Sequence, residues 1–160
     1  MRLEARAATA DDLEVAASLV DAAAAEAGNE RGGALLVALA RPEGSRPDRL
    51  VEQMRDENSL VALGLIDDVT VGVAMARLAD PYSGGRLATI DALYVEPGAR
   101  SVGLGEELLE FVSHWARSRG ATGLDVRVLP GVREAKNFFE SAGYVARCIV
   151  MHRPLGPGVG

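Results

Sequence analysis

The chain has 160 residues, of which 48% are hydrophobic and 25% charged, and its formal net charge is −6. That composition excludes a largely disordered chain and suffices for one domain with its own core, while the acid excess argues against nucleic acid as a partner, which selects a basic face. The lone cysteine, Cys148, excludes an internal disulfide, and without a CxxC or Cys/His cluster no metal is expected and a reducing cytoplasm is the default.

No apolar run approaches a membrane span, and residues 1–12 lack the hydrophobic heart of a signal peptide, so no membrane partner is expected. The charge is uneven. Residues 1–80 hold 8 Arg against 15 Asp and Glu, whereas residues 81–160 hold 8 Arg and 1 Lys against 8 Asp and Glu. Solvated helix faces account for such a split. So does an acidic front half that attracts cationic ligands.

Residues 2–8 alternate weakly and read as a short strand. Thr9 or Asp11 then caps a helix through about Ala27, with Leu13, Ala16, Ala17, Val20 and Ala24 on one face. Helical patches follow over 33–41 and 47–56, the latter opening on a proline where helices tolerate one. From Ser59 the period changes to that of two strands joined at Asp67-Asp68, a hairpin signal. After a loop at 81–85, residues 86–95 read as a strand. A helix between Gly103 and Gly120 carries Leu104, Leu108, Phe111, Val112 and Trp115 at spacings of three and four. Residues 124–129 form a strand, 132–142 a helix stopped by Gly143, and 144–152 a final strand that buries Cys148.

A strand–helix–strand step implies a parallel pair with a right-handed crossover. The expected fold is therefore a mixed sheet with helices on both faces, an α/β or α+β layered single domain over residues 1–155, with 156–160 a loose tail.

Between the strand at 86–95 and its helix lies Pro97-Gly98-Ala99-Arg100-Ser101-Val102-Gly103-Leu104-Gly105. Glycines at a helix start cost stability, but they let an anion approach N–H groups that have no intrahelical partner. Arg100 adds a candidate charge-assisted contact. The spacing fits neither a dinucleotide fingerprint nor a P-loop, whose G-K-[ST] is missing. A plain helix start also explains these glycines, so the loop by itself leaves both readings open.

The run from Val95 to Gly105 resembles the acyl-CoA motif V-x-P-x-x-[QR]-x-x-G-x-[GA] of the GNAT superfamily of N-acyltransferases. Residues 5–20 resemble that family's first strand and helix. Ala135, Phe139, Glu140, Gly143 and Tyr144 resemble its late A-x-x-x-Y-E-x-x-G-[FY] pattern. The resemblance implies a mainly antiparallel sheet with a splayed parallel strand pair and acetyl-CoA as cosubstrate. Leu93, Tyr94 and Val95 would then pair with the pantetheine arm. The N–H groups of Arg100, Ser101, Val102, Gly103, Leu104, Gly105 and Glu106 would hold the pyrophosphate.

The chain departs from the family pattern in four places. Glu106 stands near the implied phosphates, Ser101-Val102 lack basic side chains, and Val132 replaces an asparagine that touches the cofactor. Phe139 occupies the cofactor-side position of the tyrosine that protonates the departing thiolate, and a phenyl ring donates no proton.

Direct aminolysis needs a neutral amine, a polarised carbonyl and a tolerable thiolate. On a regular strand Asp91 shares one face with Leu93 and Val95, which makes it the candidate general base, although a strand aspartate also serves as an ordinary hydrogen-bonding partner. Thr89 and Glu96 flank it. Tyr94 and Tyr144 read as packing residues, and His114 and His152 as surface histidines. Without a G-x-S-x-G elbow a serine hydrolase is not indicated. The sequence thus points to an N-acyltransferase acting on a primary amine of a small molecule or protein. The alternative is a catalytically degraded acyl-CoA sensor. The oligomeric state stays open, although an exposed edge of the final strand would favour a homodimer, as many relatives of that family form.

Overall fold

The computed structural model describes residues 1–40, 46–81 and 84–157. Five strands lie side by side in chain order: β1 (Leu3–Ala7), β2 (Ser59–Ile66), β3 (Val69–Ala79), β4 (Arg86–Val95) and β5 (Ala121–Val126). The pairs from β1 to β4 are antiparallel and β4–β5 is parallel. The longer helices among the described residues are α1 (Leu13–Gly28), α2 (Gly33–Ala40), α3 (Arg46–Arg55), α4 (Leu104–Ser118) and α5 (Arg133–Ser141). The chain divides into two compact units, Met1–Ala23 with Pro42–Arg127 and Ala24–Arg41 with Val128–Gly160.

The first unit holds the sheet. Thr9 opens a short 3-10 turn ahead of α1, and the Asp12 carboxylate accepts the Thr9 N–H at 2.7 Å and both terminal nitrogens of Arg6 at 2.7 and 2.9 Å. The hairpin between β2 and β3 turns at Asp67 (φ 46°) and Asp68 (φ 70°), the left-handed pair that matches the twist of its strands. Ala16 and Leu19 of α1, Leu50 of α3, Leu63, Val73 and Tyr94 form one buried cluster on one face of the sheet. On the opposite face, α4 packs Leu104 and Leu108 against a glycine pair, Gly64 opposite Gly72. A Cβ at Gly64 would come within 3.0 Å of Leu108 Cδ1 and 3.1 Å of Leu104 Cδ1, so the glycines set how closely the helix approaches.

The β5 strand starts at Ala121, three residues before the expected 124–129 and ending at Val126. Its pairing begins at Arg86↔Ala121, and the Arg86 guanidinium donates to the Arg119 carbonyl at 3.1 Å, so the chain enters the sheet directly after α4. The other helix and strand bounds follow the sequence to within one or two residues. Residue 41 of the second helical patch, residues 82 and 83 of the 81–85 loop, and residues 158–160 of the expected tail lie outside the described residues.

In the second unit, Val132 caps α5 and Gly143 follows its end. The strand expected over 144–152 does not form. A strand exists only by pairing, and an apolar run in sequence cannot supply the partner. Val145, Ile149, Val150 and Met151 stand at least 77% exposed, and Cys148, expected to be a buried small hydrophobe, is exposed with them.

Candidate active site

The site is built where β4 parts from β5. Their parallel pairing runs from Arg86↔Ala121 to Ile90↔Val126 and stops there. Beyond that point β4 remains bonded to β3 through Leu93↔Ala74, Tyr94↔Val73 and Val95↔Gly72. Its other edge, from Asp91 to Val95, has no strand beside it among the described residues, which leaves its backbone groups without a strand partner, the Val95 carbonyl accepting from Arg100 instead.

A bulge sits at the same place. Met75 faces Ala92, but the next residue of β3, Ala76, faces Ile90, so Asp91 is an extra residue on β4. One inserted residue reverses the alternation of side chains. The expectation that Asp91 shares a face with Leu93 and Val95 is therefore corrected. Val95 lies opposite Gly72 on the α4 face, and Leu93, two residues before it, shares that face. Asp91 turns the other way, to meet Arg77 of β3, whose Nε–H lies 3.2 and 3.1 Å from its two carboxylate oxygens.

Asp91 is exposed as a residue because its backbone faces the gap, yet only 21% of its side-chain area is open. Burial pushes its carboxyl above the ordinary value, opposed by the charge and hydrogen bond of Arg77 and by the charge of Arg127 just beyond β5. A carboxylate made more basic by desolvation, at the edge of a groove, is suited to accepting a proton.

At the far end of β4 the chain passes a 3-10 turn, Pro97–Ala99, and enters α4 through two residues of left-handed backbone, Ser101 (φ 67°) and Gly103 (φ 98°, ψ 1°). Gly103 is the N-cap, so the N–H groups of Leu104, Gly105 and Glu106 begin the helix without intrahelical acceptors. Left-handed turns of this kind gather backbone N–H groups into concavities that bind anions, reinforced by the helix dipole. Ser101, Val102 and Glu106 are exposed, whereas Leu104 is buried and anchors the helix start.

The Arg100 Nε–H donates to the Val95 carbonyl at 2.8 Å, and its guanidinium carbon lies 5.5 Å from the centre of the Tyr94 ring. It ties the loop back onto β4. Tyr94 itself is buried in the core cluster, in keeping with a packing role. Glu106 lies in the first turn of α4, where a carboxylate favours the dipole but would oppose a bound phosphate.

Phe139 belongs to the second unit. It is buried on α5, edge-on to Phe138 at 5.0 Å and to Tyr144 at 5.3 Å between ring centres. The sequence reading passed over Arg77. Its one signal there is a charged residue inside the otherwise apolar run of β3. No group of three or more His, Cys, Asp or Glu able to hold a metal occurs among the described residues.

The model of the acetyltransferase (GNAT) family matches residues 35–144. The chain belongs to this family. Comparison with curated proteins finds no match. Among solved structures, the chain is similar to aminoglycoside N-acetyltransferase AAC(6')-Iy in complex with CoA at 15% identity and a TM-score of 0.76, over 97% of this chain and 96% of that one. An aminoglycoside acetyltransferase from an uncultured soil metagenomic sample, in complex with sisomicin, matches at 18% and 0.70 over 98% and 97%. A protein from Bacillus halodurans described as a transcriptional regulator matches at 21% and 0.69 over 95% and 100%. At these identities the likeness is one of fold.

Proposed function

We propose that this GNAT acetyltransferase is an N-acyltransferase that moves the acetyl group of acetyl-CoA directly to a primary amine. The observation that carries this reading is the open edge of β4 running into the left-handed, glycine-capped start of α4. An extended thioester arm laid along Leu93 to Val95 would continue into the N–H groups of residues 101–106, where a pyrophosphate fits. The amine's ammonium gives one proton to Asp91, directly or through water. Its nitrogen attacks the thioester carbon, the C–N bond forms, the C–S bond breaks, and the thiolate leaves with the second amine proton. A free thiol has a pKa of about 8.5, so this leaving group tolerates the absence of a tyrosine acid at Phe139.

The excess of acid over the first 80 residues favours a cationic amine as the acceptor. Two solved relatives are named as aminoglycoside acetyltransferases, an acceptor class of that kind. A cytoplasmic setting and a homodimer belong to the same reading. The exposed Cys148 suits a reducing compartment, and a second copy would cover the apolar segment from Val145 to Met151. Phe139 favours a second reading, an acyl-CoA-binding sensor without turnover.

Calorimetric titration with acetyl-CoA, with Gly103→Asp as control, tests the cradle. Amine-dependent thiol release by wild type and Asp91→Asn then tests the chemistry. Binding abolished by the control, with turnover falling about 10²- to 10⁴-fold in Asp91→Asn, is the expected result. Binding without release for any amine, unchanged by Phe139→Tyr, selects the sensor. Absence of binding overturns both.

A further inference from the structure

Arg77 lies on β3 and Asp91 is the bulged residue of β4, and the two meet at the point where β4 and β5 separate. The arginine is half exposed, so solvent reaches one side of the pair, while the carboxylate is largely covered. A carboxylate in that position has two problems. Nothing in its own strand fixes its direction, because a bulge loosens the ladder locally. Burial also favours its protonated form, which is useless as a base.

The Nε–H of Arg77, almost equidistant from both oxygens, addresses both problems. We propose that Arg77 is a positioning residue for proton abstraction, holding the Asp91 carboxylate at the mouth of the strand gap in its ionised form while leaving oxygen lone pairs for the amine. The inference rests on the acyltransferase reading of the site. The charges acting on Asp91 are Arg77 from β3 and Arg127 from the chain beyond β5. On β5, Asp125 lies opposite Thr89 in the strand register. Arg77 alone among them makes a hydrogen bond to the carboxylate given by the structure, and Arg127 acts only through its charge. Removing Arg77 leaves burial opposed by Arg127 alone, so the carboxyl rises further.

The test compares wild type, Arg77→Lys, Arg77→Gln and Arg127→Gln. Measured are the pH profile of kcat/KM for the amine, KM for acetyl-CoA, thermal midpoint, and the carbon-detected NMR titration of Asp91 without substrates. Arg77→Gln is expected to move the acid limb and the NMR titration together toward higher pH. A movement of one unit lowers kcat/KM about tenfold on that limb. KM for acetyl-CoA should stay within about twofold, Arg77→Lys should recover part of the loss, and Arg127→Gln should move the titration less than Arg77→Gln.

An NMR titration unmoved in Arg77→Gln overturns the inference. So does a rate loss that is flat across pH and follows a fall in thermal midpoint, or Lys behaving like Gln. A shifted titration in a protein that turns over no amine refutes the acyltransferase reading instead, because it shows the electrostatic coupling without the reaction.

Discussion

Replacing Gly103 by alanine adds one methyl group, and the structure sets what it does. The backbone there has φ 98° and ψ 1°, a conformation that penalises any residue with a Cβ by about 1–2 kcal/mol. Space is not the obstacle, since the new Cβ would meet its nearest neighbour, Leu3 Cδ1, at an ordinary 3.4 Å. The penalty therefore has two outlets. If the loop keeps its shape, stability bears the strain, and a chain of this size loses roughly 2–4 °C in thermal midpoint per kcal/mol. If the loop relaxes to a right-handed backbone, the midpoint recovers, but the N–H groups ahead of α4 no longer converge. Restoring them on binding then weakens acetyl-CoA by a factor of about 5–30. Thermal unfolding and calorimetry measured together on Gly103→Ala should show one loss or the other. Gly98→Ala is the control, because that position has no positive φ and nothing within 4 Å of its Cβ. If Gly103→Ala matches Gly98→Ala in both midpoint and affinity, the glycine cap is not what shapes the cradle.

Other perturbations probe the frame around it. Gly64→Val should cost about 1–3 kcal/mol by driving Leu104 and Leu108 off the sheet, visible in the denaturation midpoint, and should weaken acetyl-CoA because α4 carries the cradle. The Arg6 hydrogen bond, with help from Thr9, holds the Asp12 carboxyl well below the usual carboxylate range despite the opposing effect of burial. A lowered folded pKa gives stability that is present above the unfolded value of about 3.9 and lost as pH falls toward the folded one. Asp12→Asn should accordingly show a shallower loss of stability below about pH 4 in acid denaturation followed by circular dichroism. Ile149→Asp with Val150→Asp should leave a monomer in sedimentation analysis if the exposed 144–152 segment joins two copies, while wild type sediments as a dimer.

The sequence carried most of the fold because its signals here are local. Turn aspartates at 67 and 68, the apolar stripe of α4 and the glycines that close helices each decide their own neighbourhood, and the structure keeps them within one or two residues. The loop from Pro97 to Gly105 was legible for the same reason, since positive φ and a helix start both leave marks in residue type. Pairing is not local. The segment 144–152 holds the apolar run from Cys148 to Met151 yet finds no partner within the described residues, and β5 begins where Arg86 and β4 receive it rather than where its own apolar residues start.

The face of Asp91 was hidden by the same limit. Nothing in Thr89-Ile90-Asp91-Ala92 announces an extra residue, because a bulge is a mismatch between two strands and only one strand is written in any stretch of sequence. The carboxylate meets Arg77 instead of sharing the face of Leu93 and Val95, and it does so one residue beyond the last β4–β5 pair, Ile90↔Val126. The open edge, the largely covered acid and its arginine thus meet at one step of β4. Deleting Ala92 would bring Asp91 opposite Met75, still on the face of Arg77, so the ion pair should persist and the thermal midpoint need not fall; a loss of amine turnover in that protein would show that the bulge, and not the pair alone, sets the carboxylate.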